Sequence, residues 1–403
     1  MQLSPVSGLL YPGPCLLIPG TDAMHLFISA GEPSGDLHGA NLIRALQQRD
    51  PTVRVTGLGG PKMTAVGAKV VYPLANLAVM GFIRVIKHLR TFFRAARLAQ
   101  DSWAADPPDA LVIIDCSGFN LPLAKRAHAA GIPVYYFMPP QVWAWRSHRV
   151  EKIRRWCSGV LTVLPFEEEW YRSRGVVTHF VGHPYFDELA AQQPDTGLVA
   201  AEQAAGGPIV GLLPGSRDQE VSMNLPLLTG AAARVSAVRP DVRYRVAAFN
   251  ERQAEACRAA FAGTGLPVEV LVGRTPEVIA MATACVAVSG SVGLELMTRH
   301  VPTVVIYRTG RWSLYLIRKL VKIRFMSLVN LLAGEELYPE HATHSADPGP
   351  VAEPLLRWLN DETARTAVVE RLRALTAREA RPGACDRAAT YLLGAAESHA
   401  RAA

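Results

Sequence analysis

The sequence lacks the features of a disulfide-rich protein and those of a membrane-spanning one. Its 403 residues include six cysteines, which lie far apart and form no CxxC pair, so neither a disulfide framework nor a zinc site is expected. No stretch reaches the roughly 18 consecutive apolar residues that a membrane-spanning helix needs. Free cysteines without a predicted span favour a protein that resides in a reducing cytoplasm.

Motifs for binding metal or nucleic acid are also missing. The eleven histidines form no HExxH pattern, and no DxD motif is present that could hold a metal beside a nucleotide sugar, so we expect neither a metal nor another cofactor. The net charge of +7 favours acidic partners. Since no helix-turn-helix, RRM, KH or zinc-finger pattern accompanies this charge, we expect anionic lipid or phosphorylated small molecules rather than nucleic acid.

Short apolar runs alternate with helical patterns in both halves of the chain. Nearly continuous apolar runs are typical of parallel strands that helices cover on both faces. The pattern therefore predicts an α/β protein with two Rossmann-like domains that face a cleft, followed by a helical C-terminal tail. The predicted strands cover residues 25–30, 53–58, 110–115, 133–138, 160–164 and 178–181 in the first half, and 209–213, 244–248, 268–272, 285–288 and 303–307 in the second.

The same pattern predicts the domain boundaries. The expected domains cover residues 24–183 and 208–350, and the stretch 184–207, which is rich in Ala, Gln and Gly, is the expected linker. Residues 351–403 form the predicted helical tail. Residues 1–23 contain no Lys or Arg and four prolines, so we expect a disordered leader or an artefact of an early start codon rather than a signal peptide.

Two loops that follow predicted strands in the first domain carry polar residues, and ligands of doubly wound folds bind at the carboxyl ends of the strands. The loop GEPSGD could bind an anionic substrate at a helix N-terminus, although a capped structural turn explains it equally well. Its candidate ligands are Glu32, Ser34, Gly35 and Asp36. Asp115, at the end of another strand, is a candidate general base for an attacking hydroxyl, or alternatively a helix cap.

The segment PPQVWAWRSHR combines indole rings with guanidinium groups. Tryptophan can stack on a sugar or uracil ring while arginine binds phosphate, although tryptophan also fills protein cores. The candidate substrate contacts in this segment are Gln141, Trp143, Trp145 and Arg146.

Two glycine-containing turns in the second domain are candidates for binding phosphate and nucleotide. Such turns offer backbone N–H groups and hydroxyls, and the first adds a bidentate guanidinium. Their residues are Gly215, Ser216 and Arg217 in the first turn and Ser289, Gly290 and Ser291 in the second. Glu295, which follows the second turn, could accept hydrogen bonds from a ribose diol or interact favourably with the helix dipole.

Two segments without acidic residues, 80–100 and 311–325, combine basic and apolar residues at helical spacing. Basic amphipathic segments favour contact with an anionic membrane surface or with acyl chains. For 80–100, a helix with one core face and one solvated basic face explains the pattern equally well, whereas for 311–325, where the apolar residues are bulkier, the membrane interpretation is favoured. The candidate membrane or acyl contacts are Phe82, Ile86, Trp312 and Tyr315.

The motifs SAGEPSGDLHG, IDCSGFNL, PPQVWAWRSHRVEKI, LLPGSRDQEV, SGSVGLE and SLVNLLAGEELYPE occur in this order. Together they resemble the lipid-A-disaccharide synthase family over residues 24–340. The resemblance implies a GT-B architecture and an enzyme in the cytoplasm, peripherally associated with the inner membrane. It implies inverting transfer of 2,3-diacylglucosamine from UDP-diacylglucosamine to 2,3-diacylglucosamine 1-phosphate, which forms the β(1→6) disaccharide 1-phosphate and UDP.

Carried over by position, the resemblance also implies roles for individual residues. Asp115 takes the place of the essential aspartate, which deprotonates or orients the acceptor hydroxyl, and Arg217 meets the UDP diphosphate. The nucleotide-binding turn contains Ser289, Ser291 and Glu295, and Asn330 lies in the segment SLVNLLAG.

Several positions depart from the family's pattern. Ser117 and Val329 stand where proline is common, and Val292 and Gly293 stand where small or hydroxyl residues are usual. The alternative functions are a UDP-sugar epimerase of the same fold and a non-catalytic relative that binds nucleotide sugars or membranes. The oligomeric state, monomer or homodimer, is left open by the sequence.

Overall fold

The computed structural model of the chain describes residues 23–77, 89–320 and 323–400. Among these residues, seven parallel strands form a first sheet in the order β3-β2-β1-β4-β5-β6-β7. The strands are β1 (His25–Ala30), β2 (Arg54–Leu58), β3 (Lys69–Tyr72), β4 (Ala110–Ile114), β5 (Val134–Phe137), β6 (Gly159–Thr162) and β7 (Thr178–Phe180). The helices of this lobe are α1 (Pro33–Arg49), α2 (Pro61–Ala65), α3 (Leu89–Ala105), α4 (Ser117–Ala129), α5 (Val142–Trp145), α6 (Val150–Trp156) and α7 (Pro165–Arg172).

The second lobe repeats this organisation. Its described strands are β8 (Ile209–Leu213), β9 (Arg243–Ala248), β10 (Val268–Val272), β11 (Ala284–Val288), β12 (Thr303–Arg308) and β13 (Glu340–Thr343), paired in the order β10-β9-β8-β11-β12-β13. The helices that follow the first lobe are α8 (Tyr185–Ala191), α9 (Thr196–Ala204), α10 (Asp218–Val238), α11 (Glu251–Phe261), α12 (Thr275–Met281), α13 (Val292–Thr298), α14 (Arg311–Leu320), α15 (Leu328–Ala333), α16 (Gly349–Asn360), α17 (Glu362–Glu379) and α18 (Ala384–Ala400).

The predicted fold class, two parallel α/β lobes with a helical C-terminal segment, is confirmed. Every strand predicted from an apolar run is present, with ends that differ by at most two residues. The strands that the sequence did not reveal, β3 and β13, lie at sheet edges and are only partly buried. Edge strands need no continuous apolar run, so this signal could not find them.

Strand β1 shows why the apolar runs predict buried strands. All six of its residues are buried, and successive side chains point to opposite faces of the sheet. Leu26 and Ile28 belong to the hydrophobic cluster on one face, whereas Phe27 belongs to the cluster on the other face, where it packs edge-on against Trp103 at 5.5 Å between ring centroids.

The C-terminal helices complete both lobes rather than forming a separate layer. Helix α16 contributes Val351 and Trp358 to the core of the second lobe, and α17 also packs there. Helix α18 returns to the first lobe, where Ala388 and Leu392 pack in the cluster that contains Leu26. The predicted linker 184–207 contains the helices α8 and α9, so the chain crosses between the lobes once before α8 and again before α18.

The two crossings meet at the start of α18. The Asp187 carboxylate, from α8, accepts backbone N–H groups of Gly383, Ala384 and Cys385. The first N–H groups of a helix have no partner within the helix, so Asp187 caps α18 from a distant part of the chain.

No helix in the described part of the chain is long and apolar enough to cross a membrane. The predicted contacts Phe82 and Ile86 lie outside the described residues.

We predict that Asp187→Ala lowers the free energy of unfolding by about 1–3 kcal/mol, because it leaves buried N–H groups of α18 without an acceptor. The measurement is urea-induced unfolding followed by far-UV circular dichroism. Asp386→Ala is the matched control, since Asp386 forms an exposed ion pair with Arg49 and such pairs contribute about 0–1 kcal/mol. Equal losses in the two variants would contradict the capping role.

Candidate active site

The carboxyl ends of the strands in both lobes face a common cleft. A cavity of about 1140 Å³ lies between the lobes. Its first-lobe lining includes Glu32, Ser34 and Lys62, and its second-lobe lining includes Ser216, Arg217, Phe249 and Arg252. A second cavity, of about 430 Å³, continues into the second lobe.

Asp115 lies directly after β4, beside the loop that follows β1. Because β1 and β4 pair with Ala30 opposite Ile114, the residues that follow them are neighbours. A side chain at Gly31 would place its Cβ 2.6 Å from Cys116 Sγ, so only glycine lets the two loops approach this closely. Asp115 itself lines neither cavity, but its loop lies against the loop of Glu32, which lines the interlobe cavity.

The backbone at Asp115 adopts a strained conformation that its neighbours hold in place. Asp115 and Cys116 have φ values of 46° and 41°, in the left-handed region that side-chain-bearing residues seldom adopt. The Asp115 carbonyl accepts hydrogen bonds from Asn120 Nδ2 at 3.0 Å and from the Tyr136 hydroxyl at 2.8 Å. Strain of this kind persists where surrounding contacts enforce it and is concentrated at functional sites.

Burial makes the carboxylates of Asp115 and Glu32 more basic than solvent-exposed carboxylates. Burial raises the pKa of Asp115, against the lowering influence of the Cys116 backbone N–H and of His38. Burial and the nearby Asp115 charge raise the pKa of Glu32, whereas Arg217 lowers it. Glu32 and Arg217 of the PGSR turn both line the interlobe cavity, so the two lobes bring these opposite charges to the same space.

The structure gives the other residues of the GEPSGD loop different surroundings. Ser34 is exposed and lines the cavity, whereas Gly35 and Asp36 are buried. The Asp36 carboxylate accepts backbone N–H groups of Gly60, Lys62 and Met63 at 2.8, 3.0 and 3.1 Å. Asp36 thereby fixes the start of α2, which carries Lys62 at the cleft. A direct contact of Gly35 or Asp36 with substrate stays a prediction.

The tryptophan-rich segment lies outside the linings of these two cavities. Trp143 donates its indole N–H to Glu167 Oε1 at 2.9 Å, so its ring has a structural partner. The Arg146 guanidinium lies 4.0 Å from the ring centroid of Trp145, which is half exposed, and Gln141 is exposed. Substrate contact by these four residues stays a prediction.

The second cavity brings together both glycine-containing turns. Its lining includes Gly215, Ser216, Arg217, Ser289, Gly290, Ser291 and Glu295, together with Tyr185, Phe249 and Pro276. All seven residues predicted from the two turns therefore share one pocket at the carboxyl ends of β8 and β11.

Charged groups of the second pocket are held by neighbours. Arg217 forms an ion pair with Glu220 at 2.6 Å and remains half exposed. Glu295 is 2% exposed, pairs with Arg299 at 3.1 Å and accepts a hydrogen bond from the Tyr185 hydroxyl at 3.3 Å. Burial raises the pKa of Glu295, whereas Arg299 lowers it.

Asn330 is not among the residues that line this pocket. Its side-chain amide donates to the Tyr338 carbonyl at 2.7 Å and to Glu340 Oε1 at 2.8 Å, and its carbonyl accepts the N–H groups of Leu337 and Tyr338, both at 2.8 Å. The side chain is completely buried and joins α15 to β13. Its contact with a ligand stays a prediction.

The structure adds site residues that sequence reasoning missed. Phe249 is 70% exposed and lines both cavities, while Lys62 and Arg252 add positive charge to the larger one. Phe249 directly follows β9, so the rule that ligands bind after strand ends could have found it. Within the described residues, no cluster of three or more His, Cys, Asp or Glu side chains is arranged to hold a metal ion.

Comparison with solved structures supports the architecture. The UDP-GlcNAc 2-epimerase of Neisseria meningitidis, solved with bound UDP-GlcNAc, is similar over 92% of this chain and 100% of that one, with a TM-score of 0.64 and 11% identity. MurG of Acinetobacter baumannii covers 92% of this chain and 99% of its own, with a TM-score of 0.59 and 14% identity. At these identities the likeness shows the GT-B fold alone.

Comparison of sequences is more specific. The model of the lipid-A-disaccharide synthetase family matches residues 26–392. The lipid-A-disaccharide synthase of Alkalilimnicola ehrlichii is 39% identical over 93% of this chain and 99% of its own length, and that of Thiobacillus denitrificans is 37% identical over 90% and 97%. The chain therefore belongs to the lipid-A-disaccharide synthase family, and it is a glycosyltransferase of lipid A biosynthesis.

Proposed function

We propose that the chain transfers 2,3-diacylglucosamine from UDP to the 6-hydroxyl of 2,3-diacylglucosamine 1-phosphate, forming the β(1→6) disaccharide 1-phosphate and UDP with inversion. The observation that carries this proposal is the interlobe cavity, which Glu32 lines from the first lobe and Arg217 lines from the second. This arrangement supports a base on one side of the cleft, at Asp115 next to the Glu32 loop, and a diphosphate site on the other. Membership of the family supports substrates of this class.

In the proposed reaction, Asp115 accepts the proton of the acceptor 6-hydroxyl as its oxygen attacks C1 of the donor sugar. The bond between C1 and the diphosphate oxygen breaks as the new bond forms on the opposite face, and UDP leaves with the bonding electrons. A single displacement inverts an α-linked donor to a β-linked product, so one base is sufficient. A carboxylate whose pKa is raised by burial is better suited to take this proton than a solvated one.

The second pocket supplies the groups that the departing diphosphate needs. Gly215 has a φ of 125°, which favours glycine, and α10 begins immediately after Arg217. N–H groups at a helix N-terminus and a guanidinium stabilise the negative charge that develops on the leaving group. We assign the diphosphate to Gly215, Ser216 and Arg217, and the uridine to the adjoining turn at Ser289–Ser291 with Glu295.

Helix α14 supports a peripheral membrane location. Trp312, Tyr315 and Leu316 are 82%, 57% and 51% exposed, and Arg311 and Lys319 of the same helix are exposed as well. Exposed apolar residues beside cations are typical of helices that lie in the interface of an anionic membrane. We propose that α14 brings the cleft to the bilayer that holds the two acylated substrates.

We predict that Asp115→Ala lowers kcat by roughly 10²–10⁴-fold, the usual contribution of a general base, while UDP affinity is retained. The assay mixes the protein with UDP-diacylglucosamine and the monosaccharide 1-phosphate and detects the disaccharide by mass. In the wild-type protein, kcat should fall as the pH falls through the raised pKa of Asp115, because only the ionised carboxylate accepts a proton. Asp101→Ala, an exposed position, is the control.

Two outcomes would contradict this assignment. Normal turnover by Asp115→Ala would show that Asp115 is not the general base. A wild-type protein that interconverts UDP-sugars without forming a disaccharide would indicate an epimerase instead.

We predict that Arg217→Ala weakens UDP binding by about 1.5–3 kcal/mol, the scale of a lost hydrogen bond to a charged group. Isothermal titration with UDP measures this change. Arg258→Ala is the control, because Arg258 lies on the same lobe in an exposed ion pair with Glu251. An unchanged affinity of the Arg217 variant would place the diphosphate elsewhere.

We predict that the double variant Trp312→Ser and Tyr315→Ser binds less to vesicles that contain phosphatidylglycerol, because the apolar anchors of α14 are lost. Vesicle co-sedimentation measures the bound fraction. The control replaces Val177 and Val238, which are 58% and 57% exposed, by serine. Undiminished binding of the α14 variant would show that Trp312 and Tyr315 do not anchor the protein to the membrane.

A further inference from the structure

A side-chain hydrogen bond holds Arg149 against the loop of Asp115. Its guanidinium nitrogen Nη1 donates to Ser117 Oγ at 2.6 Å. Ser117, the first residue of α4, lies two residues after Asp115, and Arg149 directly precedes α6. Because α4 and α6 pack together, this hydrogen bond connects two elements that are already fixed relative to each other. The side chain of Arg149 therefore has a defined place beside the base of the proposed reaction.

The Arg149 guanidinium has no acidic partner within the part of the chain that the structure describes, although it is only partly exposed. Its neighbour is a second cation, Arg146, whose carbonyl accepts the Arg149 N–H at 2.9 Å and whose guanidinium lies over the Trp145 ring. Burial, and then the Arg146 charge, lower the pKa of Arg149, but arginine stays protonated in proteins. Partly buried charges are normally paired, so this guanidinium is suited to bind an anion.

The first turn of α4 leaves room for such an anion. A Cβ added at Gly118, the second residue of the helix, would meet no atom within 4 Å. The first N–H groups of a helix have no partner within the helix, and the helix N-terminus carries a partial positive charge. An anion at this position would be stabilised by the guanidinium and, in addition, by the helix terminus.

The strand order places Asp115 between the Arg149 segment and the interlobe cavity. Strands β1, β4 and β5 are neighbours in the first sheet. Glu32 follows β1 and lines the cavity, Asp115 follows β4, and the segment that contains Arg149 follows β5. A substrate bound on the β5 side would therefore reach Asp115 from the side opposite to the cavity that Arg217 lines.

The two substrates of the proposed reaction carry separate phosphates. The diphosphate of the donor is assigned to the second lobe. The 1-phosphate of the acceptor needs a cation on the first lobe, where the acceptor hydroxyl meets Asp115. A guanidinium can donate two parallel hydrogen bonds to one phosphate. Arg149 offers this group next to the Asp115 loop and apart from the diphosphate turn.

We propose that Arg149, oriented by Ser117, binds the 1-phosphate of the acceptor and thereby makes the enzyme select a phosphorylated acceptor. This inference rests on the proposed function, because that function supplies the acceptor. Arg149 acts on the binding of one substrate, whereas Asp115 acts on the bond that forms, so the two roles have different experimental signatures.

The first test measures acceptor binding and needs no turnover. The probes are 2,3-diacylglucosamine 1-phosphate and 2,3-diacylglucosamine without the phosphate, in the same detergent micelles, titrated calorimetrically into the full chain. The wild-type protein should bind the phosphorylated probe about 10–100-fold more tightly, the scale of hydrogen bonds between charged groups. Arg149→Gln should lose this preference, while its affinity for the unphosphorylated probe stays unchanged.

Two further variants sharpen the binding test. Arg155→Gln removes an exposed cation of α6 and should keep the preference, which excludes a general effect of net charge. Ser117→Ala keeps the guanidinium but removes the hydroxyl that orients it, so the preference should fall by a smaller factor, about 2–10-fold. Ser117→Ala also supplies the readout if Arg149→Gln does not fold.

The second test compares disaccharide formation from the same two acceptors. Arg149→Gln should lower kcat/KM by about 10–100-fold for the phosphorylated acceptor, because an interaction with that substrate is lost. The value for the unphosphorylated acceptor should not change. UDP affinity should also be retained, because the diphosphate turn lies on the other lobe.

The outcomes separate the two proposals. Equal losses with both acceptors would show that Arg149 only supports the Asp115 loop, and would overturn the inference. A weakened affinity of Arg149→Gln for UDP, or a wild-type protein that binds both probes equally, would overturn it as well. A wild-type protein that forms no disaccharide but prefers the phosphorylated probe through Arg149 would overturn the proposed function alone.

Discussion

Partial burial of the Asp115 carboxylate is the constraint on which the rest of the site depends. A carboxylate in a low-dielectric position is a stronger base but is costly to ionise, so it needs compensating groups nearby. The structure supplies the N–H of Cys116 in the loop itself and His38 from α1, whereas Glu32 adds a second negative charge, which Arg217 of the other lobe opposes. The left-handed backbone at residues 115 and 116 is retained because Asn120 and Tyr136 hold its carbonyl.

The sequence predicted the sheets and the positions of the loops, because buried parallel strands leave continuous apolar runs and ligand-binding loops follow them. It also placed Asp115, Arg217 and Ser289 in loops of this kind. The sequence alone did not reveal which polar residues of a loop line the cavities. Asp36 and Asn330 were predicted ligands too, but their side-chain oxygens accept backbone N–H groups of other segments, a property that only the tertiary structure defines.

The sequence also did not reveal where the C-terminal helices pack. An alanine-rich helical pattern predicts a helix but not the surface on which it packs. In the structure, small side chains such as Ala388 let α18 lie close against the first lobe. The partner that caps this helix, Asp187, is nearly two hundred residues away in the sequence. The similarity to an epimerase structure shows that the fold alone does not define the reaction. The same fold serves several chemistries, and the residues in its loops determine which reaction is catalysed.

Helix α8 is attached to both lobes. Its Phe186 packs in the core of the second lobe, Glu188 reaches α1, and Asp187 holds the return crossing at α18. The two covalent connections between the lobes are therefore joined at one place by the Asp187 carboxylate. A change in α8 would thus act on both connections at once, and on the packing of the second lobe through Phe186.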